Sequence, residues 1–222
     1  MMPTADVTLR TRQVTLPVGA VSLVADLVVP PDVRGVVLFA HGSGSSRASP
    51  RNRFVAGALQ EAGLATLLFD LLTWSEARQD ALTHALRFDI ELLSRRMTAV
   101  TELVAGPDLN GGLPIGIFGA STGAAAALIA AAERPELVSA VVSRGGRPDL
   151  ATSALRRVKA PTLLIVGGED PDVVTLNRRA LNAMTCARTL EIVPGATHLF
   201  EEPGTLERVA ELARDWFVTH LP

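Results

Sequence analysis

The chain has 222 residues, 48% of them hydrophobic, enough for one α/β domain with a sizeable core, so 1–222 reads as a single domain. A net charge of −2 excludes a bulk electrostatic drive toward nucleic acid or an anionic membrane. The lone Cys186 excludes an internal disulfide and a cysteine-rich zinc site, and the longest strongly apolar run, 124–132, is too short to span a bilayer.

The opening Met1-Met2-Pro3-Thr4-Ala5-Asp6 lacks a basic segment followed by an apolar core, so a cytoplasmic chain without a signal peptide is expected. Residues 7–16 and 21–29, rich in β-branched side chains and separated by Pro17-Val18-Gly19-Ala20, read as an antiparallel pair at a sheet edge. The continuous apolar run 35–40 suits a strand covered on both faces. A polar loop, 41–50, leads to a helix over 52–62 that ends at Gly63, a C-cap. Further strands are expected at 64–69, 115–118, 138–142, 162–166 and 190–193. Helices are expected between and after them at 88–104, 122–132, 176–184 and 206–218. This alternation implies right-handed βαβ crossovers and a mostly parallel sheet with helices on both faces. Residues 71–85 carry no clear pattern and read either as a short lid or as a loop.

Between the strand at 115–118 and the helix at 122–132 lies Gly119-Ala120-Ser121-Thr122-Gly123. Strand, sharp turn and helix are the context of a G-x-S-x-G nucleophile elbow, in which Ser121 is the nucleophile and flanking glycines remove side chains that would collide. The bland alternative is a serine that merely caps a helix.

In that arrangement the acid and the base follow the serine in chain order. After the strand at 162–166 come Glu169, Asp170 and Asp172, at the carboxyl edge where open α/β sheets place their sites. Asp170 is taken as the orienting acid with Asp172 in reserve; the competing reading is a carboxylate that caps the next helix. Of the histidines His41, His84, His198 and His220, only His198 lies in a small-residue loop just past the last strand, and it is the expected base. His41 reads as a packing and hydrogen-bonding residue, His84 falls in the unassigned segment, and His220 reads as solvated. The loop His41-Gly42-Ser43-Gly44-Ser45-Ser46 follows the strand at 35–40, where one oxyanion donor is supplied. Backbone N–H groups of Ser43 and Thr122 are the expected donors. A phosphate-binding loop would need a Lys-Ser/Thr ending that is absent.

These residues resemble the dienelactone-hydrolase-like branch of the α/β-hydrolases. More narrowly, the chain is similar to small hydrolase-like proteins that occur alone or fused to phosphoribosyltransferase domains. The resemblance is carried by 39–47 with 49–53, 65–73, 119–123, Ser143-Arg144-Gly145-Gly146-Arg147-Pro148-Asp149-Leu150, 167–170 with 176–178, and 195–202. It implies an α/β-hydrolase fold without a large lid domain, and an acid aligned with Asp170. Dienelactone hydrolases proper carry a cysteine where this chain has Ser121, which points away from dienelactone as substrate.

Arg47, Arg51 and Arg53 cluster after the glycine loop, and Arg144 and Arg147 follow the strand at 138–142. Arg47 or Arg144 is a candidate reader of an anionic substrate group, against the plainer role of surface ion pairs. The leading expectation is an esterase or related acyl hydrolase that forms an acyl-enzyme on Ser121 and takes small or short-chain esters in an open or shallow site. Alternatives are a non-hydrolytic binding or regulatory module and an acyltransferase. No cofactor is implied, no His/Asp/Glu cluster shows metal-ligand spacing, and neither nucleic acid nor membrane is an expected partner.

Overall fold

A computed structural model describes residues 9–221. Eight strands form one sheet in the order β1-β2-β4-β3-β5-β6-β7-β8. They are β1 (Arg10–Val18), β2 (Val21–Val29), β3 (Gly35–Ala40), β4 (Leu64–Phe69), β5 (Ile115–Ala120), β6 (Val138–Arg144), β7 (Thr162–Gly167) and β8 (Arg188–Val193). From β3 to β8 every pairing is parallel; β1/β2 and β2/β4 are antiparallel. The apolar runs land where such runs belong, since β3, β4, β5 and β7 are buried at every position.

Among the described residues seven α-helices lie between and after the strands: α1 (Pro50–Glu61), α2 (Trp74–Thr83), α3 (Ile90–Ala105), the short α4 (Pro107–Asn110), α5 (Thr122–Glu133), α6 (Pro171–Ala183) and α7 (Thr205–His220). α3, α5 and α6 pack one face of the sheet through Leu93, Met97, Val100, Leu128 and Ala180. α1 and α7 pack the other through Val55, Leu59, Val209 and Phe217. α5 is apolar on all sides and almost wholly buried, as a central helix must be. Among the described residues no helix is long and apolar enough to cross a membrane.

The departures from the sequence reading have local causes. Val7 and Thr8, placed in the first strand, lie outside the described residues. β1 runs through Pro17, paired with Ser22, because an edge strand needs no N–H on its open side; the hairpin turn is only Gly19-Ala20. α6 begins five residues before the expected start, with Pro171 in its first turn, where a missing N–H costs nothing. Residues 71–85 hold a helix, α2, started by a capping box between Thr73 and Glu76. His220 is half-buried against Trp216, ring centroids 4.2 Å apart, rather than solvated.

Parallel register decides what meets at the carboxyl edge. Ala40 at the end of β3 lies opposite Gly119 in β5, Ala120 opposite Arg144 in β6, and Gly167 in β7 opposite Val193 in β8. Five loops therefore leave the sheet in a row: the glycine loop after β3, the serine turn after β5, the loop after β6, the Asp170 loop after β7 and the His198 loop after β8.

Candidate active site

Ser121 has φ 51° and ψ −119°, a conformation that costs a non-glycine residue about 1–3 kcal/mol. Packing holds it there. Its N–H donates to the Arg144 carbonyl at 3.1 Å, and its own carbonyl accepts from Ala124 and Arg147, each at 3.1 Å. The turn leaves no room for a Cβ at Gly119, which would meet Ala124 Cα at 2.5 Å, or at Gly123, which would meet the His41 carbonyl oxygen at 2.5 Å and that of Ala40 closer still. Gly123→Ala should therefore lower stability by about 3 kcal/mol, read as a fall in the urea midpoint. Gly57→Ala, in α1 with nothing within 4 Å, should raise it by about 0.5–1 kcal/mol. Equal shifts would contradict this account.

Ser121 and Asp170 both occupy helix N-cap positions, at α5 and α6, and neither side chain makes a cap bond. Both turn to His198. His198 Nε2 lies 3.2 Å from Ser121 Oγ, and Nδ1 lies 2.7 Å from Asp170 Oδ2. With the carboxylate accepting, Nδ1 carries the proton and Nε2 is free to accept from the serine hydroxyl. Asp172 and Glu169 are exposed and make no such contact. The His198 loop is tied down on both sides. Glu202 accepts from Thr197 N–H at 3.1 Å and Thr197 Oγ1 at 2.6 Å, while Phe200, at φ 56°, is buried in the α1–α7 core. Close approach of this loop needs Gly167, where a Cβ would strike the Ala196 and Thr197 carbonyls.

Among the described residues no acceptor is recorded for the Ser43 and Thr122 amides, as for free donors at an oxyanion position. A Cβ on Gly42 would come within 3.1 Å of Ser121 Cβ, so the glycine lets the loop lie against the serine turn. His41 holds the loop from below. Its Nε2 accepts the Leu71 N–H at 3.0 Å and its Nδ1–H donates to the Gly42 carbonyl at 3.0 Å. Burial pushes its pKa below the ordinary value and keeps the ring neutral.

A cavity of about 490 Å³ opens beside this loop, lined by the 41–47 loop, Thr122, Val24, Leu72, Trp74 and Leu93 among others. One wall is the segment containing α2, so the site has a side that the expectation of an open, shallow surface lacked. The wall is pinned by groups the sequence reading did not single out. Arg96, buried in α3, makes a two-pronged pair with Glu76 at 2.6 and 2.7 Å and reaches the Leu71 carbonyl at 2.6 Å. Arg87 pairs with buried Asp80 at 2.6 Å. The Thr73-x-x-Glu76 spacing was the available signal.

The Arg96 hydrogen bonds, opposed by burial, bring the Glu76 pKa down from 4.5 to about 2. Because the folded value is depressed, this contribution is complete above pH 4.5 and disappears as pH falls toward about 2. The melting temperature of the native chain should fall more steeply over that interval than that of Glu76→Gln; parallel curves would refute the assignment.

Arg47 lines the cavity but its charge is engaged, with Asp70 through both backbone and guanidinium and with Asp26 at 3.5 Å. Arg147 pairs with Asp149 at 2.7 Å. Arg144 is buried and pairs with no carboxylate. His84 caps α2 at φ 56°, and none of its contacts reaches the trio.

A parallel sheet flanked by helices, with serine, histidine and aspartate gathered over its carboxyl edge, defines an α/β-hydrolase. The family model for the dienelactone hydrolase family matches residues 25–218, and the chain belongs to that family. It is 58% identical to a dienelactone hydrolase from Anabaena variabilis, with a TM-score of 0.94 over 96% of this chain and 99% of that one. Est1E from Butyrivibrio proteoclasticus shares the fold, with a TM-score of 0.79 at 16% identity over 94% of this chain and 98% of that one. A Mycobacterium tuberculosis protein with the provisional name phosphoribosyl transferase is 57% identical over 98% of this chain and 48% of its own length. The chain thus spans about half the length of the curated relatives it matches.

Proposed function

We propose that the protein hydrolyses carboxylic esters through an acyl-enzyme on Ser121. The supporting observation is the chain of contacts from a strained serine through His198 to Asp170, at 3.2 and 2.7 Å. Ser121 Oγ attacks the ester carbonyl as His198 Nε2 takes its proton. The carbonyl oxygen becomes an oxyanion held by the Ser43 and Thr122 N–H groups. Collapse breaks the ester C–O bond, and the alcohol leaves with the proton from His198. Water then gives a proton to His198 and attacks the acyl carbon, and the carboxylic acid leaves as Ser121 recovers its hydrogen. Asp170 stays ionised throughout and stabilises the imidazolium.

The acyl group sits in the cavity beside Val24, Leu72, Trp74 and Leu93, and small or short-chain acyl groups are the proposed substrates. No metal or cofactor takes part in this sequence of steps. A fluorophosphonate probe should label Ser121, and p-nitrophenyl esters of increasing chain length should show a preference for the short ones. Absence of both labelling and turnover in folded protein would overturn the proposal. Thermal stabilisation by esters that are not consumed would favour a binding module instead.

A further inference from the structure

The two buried arginines of this chain are treated oppositely. Arg96 has a two-pronged carboxylate partner in Glu76. Arg144 is only 5% exposed and has none: its Nη2 lies 3.4 Å from Asn52 Oδ1, its Nε has no partner, and its guanidinium stands 5.8 Å from the Phe200 ring. A cation taken out of water is ordinarily paired.

The surroundings add positive charge. Arg51, in the first turn of α1, also has a buried and unpartnered Nε, and that turn contains no acidic residue. Burial and the nearby Arg51 charge together bring the Arg144 pKa down to about 10. Among the described residues the carboxylate recorded against these arginines is Glu201, which accepts from Arg51 Nη1 at 3.1 Å and is 62% exposed. Neither arginine lines the cavity described above. Yet the Arg144 carbonyl accepts the Ser121 amide, and Gly145 abuts the His198 ring. The backbone of Arg144 therefore joins the nucleophile turn, while its guanidinium reaches Asn52 in the first turn of α1.

We propose that Arg144 and Arg51, at the N-terminus of α1, form a binding site for an oxyanion group, a carboxylate or a phosphate. Unpaired guanidinium N–H groups and a helix N-terminus are suited to such a group. Glu201 occupies Arg51 until the anion displaces it. The anion is either part of the substrate, on the side away from the acyl cavity, or a free ion. The first source rests on the reading of Ser121 as nucleophile; the binding itself does not.

Titration calorimetry with inorganic phosphate and with succinate tests the site without turnover. The native chain should bind one of them at millimolar concentration, and Arg144→Met should bind about tenfold more weakly. Glu201→Gln, an exposed change, should bind more tightly and serves if Arg144→Met fails to fold. No binding to the native chain, undiminished binding to a folded Arg144→Met, or unchanged binding to Glu201→Gln would overturn the inference. Kinetics separate the sources. A substrate-borne anion predicts about tenfold higher kcat/KM for an ester with a carboxylate on its alcohol than for its neutral counterpart, lost in Arg144→Met. Equal rates with retained binding assign a free ion. Serine labelling without anion binding defeats this inference alone, and anion binding without labelling defeats only the esterase reading.

Discussion

Ser121→Ala should reduce ester turnover by about 10⁴- to 10⁶-fold while leaving a folded protein. The oxygen removed is the one that would form the acyl bond, and among the described residues Ser121 Oγ, at 3.2 Å, is the side-chain partner recorded for His198 Nε2. Folding should survive because that oxygen makes no cap bond to α5. Alanine inherits the strain at φ 51°, whereas Ser121→Gly relieves it and should melt at a higher temperature, by about 1 kcal/mol of stability. Both variants should lose fluorophosphonate labelling. Turnover retained within tenfold in Ser121→Ala would remove the nucleophile from the proposed mechanism.

Asp170→Asn should lower kcat by about 10⁴-fold with a small change in KM. An asparagine can keep the 2.7 Å contact, but its amide favours the imidazole tautomer with the proton on Nε2, which cannot accept from Ser121. It also withdraws the negative charge that stabilises the imidazolium. Asp172→Asn should change kcat by no more than about twofold, since that side chain is exposed in the first turn of α6 and away from the trio. A large loss from Asp172→Asn with little from Asp170→Asn would reverse the assignment of the acid.

Much of this was legible in the residues because single local rules were decisive. The apolar runs at 35–40, 64–69 and 162–166 could be satisfied only by strands covered on both faces, and they are. Gly119 and Gly123 bracket a turn that nothing with a Cβ could make. Asp170 was harder, with three acids within four residues at the same carboxyl edge, so the position leaves Asp172 in reserve and the resemblance adds support for Asp170. What selects it is Pro171, which starts α6 and leaves Asp170 at the helix entrance. The wall containing α2 went unassigned because its helix has a weak apolar face and exposed Trp74 and Leu82. Its order comes from Arg96, Arg87 and His41, contacts between residues up to 30 positions apart that no local pattern announces. The lack of a carboxylate beside buried Arg144 was equally invisible, because an arginine's partner cannot be read from its neighbours in sequence.

The anchoring of that wall bears on how molecules enter and leave. Leu71 is fastened to His41, Glu76 to Arg96, and Asp80 to Arg87, so the helix is held at its approach, its first turn and its last third. A panel fastened along its whole length has no free edge to swing on. On the proposed esterase reading, substrates would be measured against an aperture of constant width, so rates along a series of p-nitrophenyl esters should fall at an abrupt cutoff in acyl length rather than decline gradually.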